Sequence, residues 1–168
     1  KIRGIIESVS NLDADRAFYN GTTVKVLATL AGTTSKPYTL VFPAKALGSQ
    51  PAGFTLADYP QGDGYATASV NVNGTVSFAG KLADGTVIGA SAPLSKTNTW
   101  PLFQQLYPVA GLKKGCIAGQ IKLDDAPADS DMKQVAGTNL LWFRPFQLVQ
   151  WYPYGWDEGI LVDLMGAK

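Results

Sequence analysis

The sequence predicts an all-β fold: an antiparallel barrel or sandwich of about ten short strands built on a central meander. Three observations predict it. Apolar residues alternate with period two through Gly62–Tyr107, the mark of strands with one buried face. Turn chemistry recurs at short intervals, in a chain with 18 glycines and 10 prolines. No stretch of about a dozen residues carries a helical period. Closure into a barrel is favoured over a sandwich, because closure removes the edges that many short strands would otherwise expose.

Taken in order, Lys1–Ser10 reads as a strand with little alternation, buried on both faces. Asn11–Asn20 reads as a short strand or one helical turn, and Thr22–Leu30 as a strand with Val24, Val26 and Ala28 on one face. Tyr38–Phe42 is a strand closed by Pro43, and Ala44–Gln61, with Gly48, Pro51, Gly53 and Pro60, is a long loop over the meander's entrance.

The meander comes next. Ala66, Ala68, Val70 and Val72 share one face of the first strand, and Val76, Phe78, Gly80 and Leu82 one face of the second. A two-residue turn at Asn73-Gly74 would set Val70 against Ser77 and mix core with solvent. A three-residue loop Val72-Asn73-Gly74, with Gly74 left-handed as a bulge, pairs Val70 with Val76 and Ala68 with Phe78. Ala83-Asp84-Gly85 repeats the chemistry, pairing Gly80 with Ile88, Phe78 with Ala90 and Val76 with Ala92. A third such loop, Lys96-Thr97-Asn98, with Asn98 in the glycine-like position, would bring a fourth strand beside the third, Leu94 next to Trp100. Pro108–Gly115 then reads as a turn region, Cys116–Leu123 as a strand, and Asp124–Asp131 as an acidic exposed loop. Asn139–Arg144 is a strand ended by Pro145, and Ile160–Met165 a last strand beyond an aromatic-rich segment.

At 168 residues the chain forms one domain, residues 1–168, large enough to bury a core. Charged residues make up 16% and the formal net charge is +1, so nothing attracts nucleic acid or an anionic membrane electrostatically. No apolar run approaches the ~18–20 residues of a membrane-spanning helix. The chain opens at Lys1 in strand-like sequence, which reads as a mature product or a fragment with part of the domain upstream.

The chain has no histidine, which removes the commonest general base and metal ligand. Its single cysteine, Cys116, sits inside a strand without an imidazole partner and reads as packing rather than a reactive thiol. Asp157 and Glu158, with Asp63 or Glu7, are the only candidates for a carboxylate pair, and neighbours in a strand point to opposite faces. No catalytic residue is assigned, and the chain is expected to be non-enzymatic. Asp124, Asp125, Asp129 and Asp131 offer hard oxygen ligands for calcium; without the glycine and distal glutamate of an EF-hand loop, a solvated acidic loop is the plainer reading. No other cofactor is implied. Asn20-Gly21-Thr22 and Asn73-Gly74-Thr75 match the glycosylation pattern, but both read as turns.

The densest feature is aromatic: Trp142, Phe143, Phe146, Trp151, Tyr152, Tyr154 and Trp156. Trp142 reads as core. The cluster as a whole fits the core and end-plug of the β structure, an apolar contact with a neighbouring subunit, or a stacking platform for sugar rings. Trp151, Tyr152, Tyr154 and Trp156 are the candidate binding residues.

The succession GDGYATASVNVNGTVSFAGKLADGT, APLSKTNTWPLFQQLY, KKGCIAGQIKL, LLWFRP and WYPYGW resembles a β-rich module of large exported proteins from Verrucomicrobia and related bacteria. That module runs GDGYGTVTVD, GTLADGT, WPLY, GKGSLLGWL and YYPAGF in the same order, and the resemblance spans roughly Tyr38–Trp156. It implies export and a place at the cell surface or in an extracellular assembly. The module carries no assigned activity, so no residue role comes from it. The expected function is a structural or adhesive module, self-associating or packed against neighbouring modules, with a strand from a neighbour completing the sheet if it polymerises. Carbohydrate binding through the aromatic cluster is the alternative.

Overall fold

A computed structural model describes residues 2–6, 10–14, 17–26, 37–109, 112–124, 134–149 and 151–168. The fold is all-β. Ten strands run β1 (Ile2–Ile6), β2 (Ser10–Ala14), β3 (Tyr38–Phe42), β4 (Gly64–Val70), β5 (Thr75–Lys81), β6 (Val87–Pro93), β7 (Thr99–Val109), β8 (Leu112–Leu123), β9 (Val135–Arg144) and β10 (Trp156–Ala167). β1 and β2 form a separate hairpin. The other eight make one antiparallel sheet in the order β6-β5-β4-β3-β10-β9-β8-β7, rolled into a nearly closed barrel. The only helical element among the described residues is one 3-10 turn at Leu47–Ser49, and no helix there is long and apolar enough to cross a membrane.

The registers deduced from parity are the registers observed. Val70 faces Val76 and Ala68 faces Phe78 across β4 and β5. Gly80 faces Ile88, Phe78 faces Ala90 and Val76 faces Ala92 across β5 and β6. Gly74 and Gly85 hold φ of 80° and 85°, and each loop closes by the same two backbone hydrogen bonds. Asn98, at φ 58°, closes Ser95–Thr99 in the same way.

The expected fourth strand of the meander is a correction. After the Ser95–Thr99 loop, β7 pairs with β8 along its whole length, Trp100 with Ile121 and Leu102 with Gly119. Leu94 instead donates its backbone N–H to Gly74 O, so β6 and β7 lie side by side without a ladder. At this seam the barrel stays open. Two prolines guard it, Pro93 in β6 and Pro101 in β7, neither with an N–H to offer. The Gln104 amide oxygen accepts from Gly89 N–H across it at 2.8 Å.

Three smaller expectations also change. Of the strand expected over Thr22–Leu30, residues 22–26 are not a strand, because the Asn20 side-chain oxygen accepts from the N–H groups of Thr22, Thr23 and Val24 and holds the chain in a turn; residues 27–30 lie outside the described residues. The expected turn over Pro108–Gly115 shrinks, since β7 runs to Val109 and β8 starts at Leu112. The strand expected at Asn139–Arg144 starts at Val135 and carries a bulge: register slips on both sides of it near Asn139, whose φ is 55°.

The core fills the barrel from all eight of its strands, with Phe42, Phe78, Trp100, Trp142 and Trp156 among its largest members. Phe78 packs edge-on against Trp100 at 4.9 Å, and Trp142 against Trp156 at 4.7 Å. The strand directions sort the loops to two mouths. One mouth carries the turns at 71–74 and 94–98, over which Tyr19 lies with its hydroxyl donating to Asn98 Oδ1. The other carries the β3–β4, β5–β6 and β9–β10 loops. There the long β3–β4 loop is pinned to β10 by Gln50, whose amide exchanges hydrogen bonds with both backbone groups of Leu161. It drives Tyr59 into the core as a plug.

Candidate functional site

The second mouth gathers the unusual chemistry. Leu140, Trp142 and Arg144 share the inward face of β9, so the strand's alternation carries a guanidinium into the barrel. Its partner is Asp84 at the β5–β6 turn, Nε to Oδ2 3.5 Å, with the two side chains only 6% and 2% exposed. Asp84 is otherwise saturated. Its carboxylate accepts from Thr86 N–H at 2.9 Å, Thr86 Oγ1 at 3.0 Å and the Tyr107 hydroxyl at 2.8 Å. The Tyr107 oxygen accepts in turn from Trp142 Nε1 at 2.8 Å. Burial, and then the neighbouring Asp84 charge, push the Tyr107 phenol far above its ordinary range, so it stays a donor.

Around the guanidinium stand three rings: Trp156 at 5.2 Å, Tyr107 at 5.6 Å and Tyr152 at 6.0 Å. These faces stabilise a cation in a site where water is excluded. Arg144 Nη2 donates to Trp151 O at 3.2 Å, which ties the β9–β10 loop to the brace beneath it. Gly155, at φ 65°, lets that loop close directly over the end of β9, where any Cβ would strike Arg144 O and Pro145 O. A turn from Tyr152 to Gly155 closes on their backbone hydrogen bond at 3.1 Å with Pro153 second, and so presents Tyr154 at its tip.

The four candidate binding rings therefore separate. Trp156 is core and Tyr152 half-buried, their centroids 5.9 Å apart, so neither belongs to an exposed platform. Trp151 and Tyr154 are 69% and 81% exposed. They are joined by Phe146, Leu148 and Val149, which sequence reasoning left out of the site. The split does not follow the two sides of Pro153: Tyr154 stands at the tip of the Tyr152–Gly155 turn, while Tyr152 and Trp156 pack edge to face across it.

The remaining candidates lie elsewhere. Of the four aspartates considered for calcium, Asp124 sits at the base of the β8–β9 loop, at the opposite mouth, its N–H donating to Gln134 O. Asp125, Asp129 and Asp131 lie outside the described residues, as does Glu7. Asp157 and Glu158 are both exposed, because the register slips between Trp156 and Ile160 and the strand no longer alternates there. Cys116 is partly buried on β8, and burial raises its thiol pKa.

Sequence reasoning took Asp84 only as a turn residue and did not use Arg144. The signal was present: Arg144 falls on the same parity as Leu140 and Trp142, so the alternation that made Trp142 core made Arg144 core too. No family model, curated protein or solved structure matches this chain.

Proposed function

We propose that the chain is a non-enzymatic structural or adhesive module of a bacterial surface or extracellular assembly, and that it engages its neighbours through the β9–β10 loop. One observation carries the reading. Between positions 146 and 154, Phe146, Leu148, Val149, Trp151 and Tyr154 are 57%, 93%, 46%, 69% and 81% exposed. Single exposed apolar residues are ordinary, but five within one short loop form a patch of the kind found at docking sites. The loop is also tied to the barrel at two points: Arg144 Nη2 donates to Trp151 O from below, and Gln147 N–H donates to Pro153 O across its base at 2.8 Å. The placement at a cell exterior rests on the resemblance of five sequence blocks.

The test is sedimentation velocity across a wide concentration range, with Leu148→Ser/Trp151→Ser beside the natural chain. Association by the natural chain, lost in the variant with circular dichroism unchanged, is the expected result. A natural chain that stays monomeric at every concentration, and alone in its native setting, contradicts it. Carbohydrate binding keeps some support from the exposed rings of Trp151 and Tyr154. Against it, Phe146 and Tyr154 are tilted by 49°, and Leu148 and Val149 interrupt the platform. Retardation in a polysaccharide gel, abolished by Trp151→Ser, would restore that alternative.

A further inference from the structure

We infer that Lys45, Asn139 and Asp163 form a site of covalent self-modification, in which the Lys45 amine displaces ammonia from the Asn139 side chain and leaves an amide bond between the β3–β4 loop and β9. The three residues stand on neighbouring segments of the wall, in the sheet order β3-β10-β9. Lys45 Nζ lies 2.8 Å from Asn139 Oδ1 and 3.3 Å from Asp163 Oδ1. The same carboxylate oxygen accepts from Asn139 N–H at 3.0 Å. An amine and a carboxamide therefore touch, with a proton acceptor beside both.

Register and backbone bonds place all three. Across β9 and β10, Gly137 pairs with Leu164 and Leu140 with Val162, which leaves Thr138 and Asn139 together opposite Asp163. Asn139 takes the left-handed φ of 55° at this bulge, a conformation asparagine tolerates. On the other flank of β10, Ala44 bridges Val162, and Lys45 N–H donates to Leu161 O. Lys45 O accepts from Gln50 Nε2 at 3.0 Å. The main chain on each side is thus tied to β10, and side-chain torsions alone separate contact from attack. A C=O bond adds only about 1.2 Å to the 2.8 Å contact, so the amide carbon is within about 4 Å of Nζ, against about 3–3.5 Å for a near-attack geometry. The ion pair by itself is a weak surface contact, its side chains 21% and 29% exposed. The carboxamide gives the amine something to react with.

The step balances without any co-reactant. Asp163 takes a proton from the Lys45 ammonium, and the neutral amine attacks Asn139 Cγ. The Nζ–Cγ bond forms, Asp163 passes its proton to Nδ2, and the Cγ–Nδ2 bond breaks. The second surplus proton of Nζ leaves with the ammonia. An ammonium and a primary amide become a secondary amide and an ammonium ion, with nothing oxidised or reduced. Water reaches the site, so bond formation should lag behind folding. The finished link crosses β10 and fastens residues 94 apart in sequence.

Intact-mass spectrometry of freshly folded and aged protein tests this, followed by peptide mapping. The aged natural chain should be lighter by one ammonia, and proteolysis should release a branched peptide joining Lys45 to Asn139. Lys45→Arg, and Asn139→Gly, which suits the positive φ of the bulge, should stay at full mass with circular dichroism unchanged. Asp163→Asn should slow the link roughly a hundredfold or more, the scale of a lost general base. Full mass in the aged natural chain, or loss of ammonia without the branched peptide, overturns the proposal. A branch from Lys45 to Asp163 instead, formed with loss of water, overturns it as well. An Asp163→Asn variant that links as fast as the natural chain refutes the proton transfer assigned to the carboxylate.

Discussion

Replacing Asp84 with Ala should destabilise the domain more than any other single change at a polar residue of the barrel. The structure sets the scale. Asp84 and Arg144 are 2% and 6% exposed, and the alanine would leave the guanidinium in the barrel with the Trp151 carbonyl and three ring faces for company. Removing one partner of a buried pair costs about 3–5 kcal/mol, chiefly through the charge left behind. The change also takes the acceptor from the Tyr107 hydroxyl and from Thr86. Against a typical domain stability of about 5–15 kcal/mol this is a large fraction. Arg144→Met should cost less, about 2–3 kcal/mol, because the remaining carboxylate keeps three donors, Thr86 N–H, Thr86 Oγ1 and Tyr107. The double variant Asp84→Asn/Arg144→Met removes both charges and should lie within about 2 kcal/mol of the natural chain. Urea unfolding followed by tryptophan fluorescence and far-ultraviolet circular dichroism measures all three. A loss below about 1 kcal/mol for Asp84→Ala, or a double variant as costly as the two singles added, would refute the role of this pair as a buried brace.

The two bulge glycines should differ in what they tolerate. Gly85 faces open space at φ 85°, so Asn there should be mild and Val should cost about 1–2 kcal/mol, whereas a Cβ at Gly74 meets the Tyr19 side chain at 2.7 Å and even Asn should be costly; paired melts decide it. Stability should also fall in alkali. Burial raises the Tyr38 phenol to about 12 and Tyr107 higher still, while in the unfolded chain both ionise near 10, so unfolding releases protons and stability declines as pH rises from about 10 towards 12. Melting temperatures at intervals from about pH 8 to about pH 11.5 test this, and a flat profile above about pH 10, or one unchanged by Tyr38→Phe, would contradict it. In Arg144→Met the Trp151 carbonyl loses its donor, so hydrogen exchange in residues 146–154 should quicken while exchange in β4 and β5 does not.

The β4–β6 meander was legible because its information is local. Three-residue loops with Gly74 and Gly85 at their ends fix parity, and parity decides which side chains are buried. The choice of β8 rather than β6 as the ladder partner of β7 was not legible. The Ser95–Thr99 loop forms as its residues dictate, but the path of β7 beyond it depends on long-range packing, with Leu94 N–H turned to Gly74 O. Thr22–Val26 misled because β-branched residues suggested a strand while Asn20 offered its backbone nearer partners. At the site, composition marked the aromatic segment, but which rings face water was decided by packing of Trp156 against Trp142 and Tyr152, which the local sequence does not show. Arg144 was readable from its parity, although Asp84, about sixty positions earlier, could be matched to it only by the fold.

Tryptophan quenching tests the central claim most directly. Of four tryptophans, Trp100, Trp142 and Trp156 are each 1% exposed and Trp151 is 69% exposed, so a soluble quencher reports on the β9–β10 loop alone. If the loop is a docking surface, one class of fluorescence should quench readily in dilute solution and become protected as the protein is concentrated or placed in its native assembly, in step with rising particle mass. Quenching that stays the same at every concentration and in the native material, with particles of 17.8 kDa throughout, would contradict it.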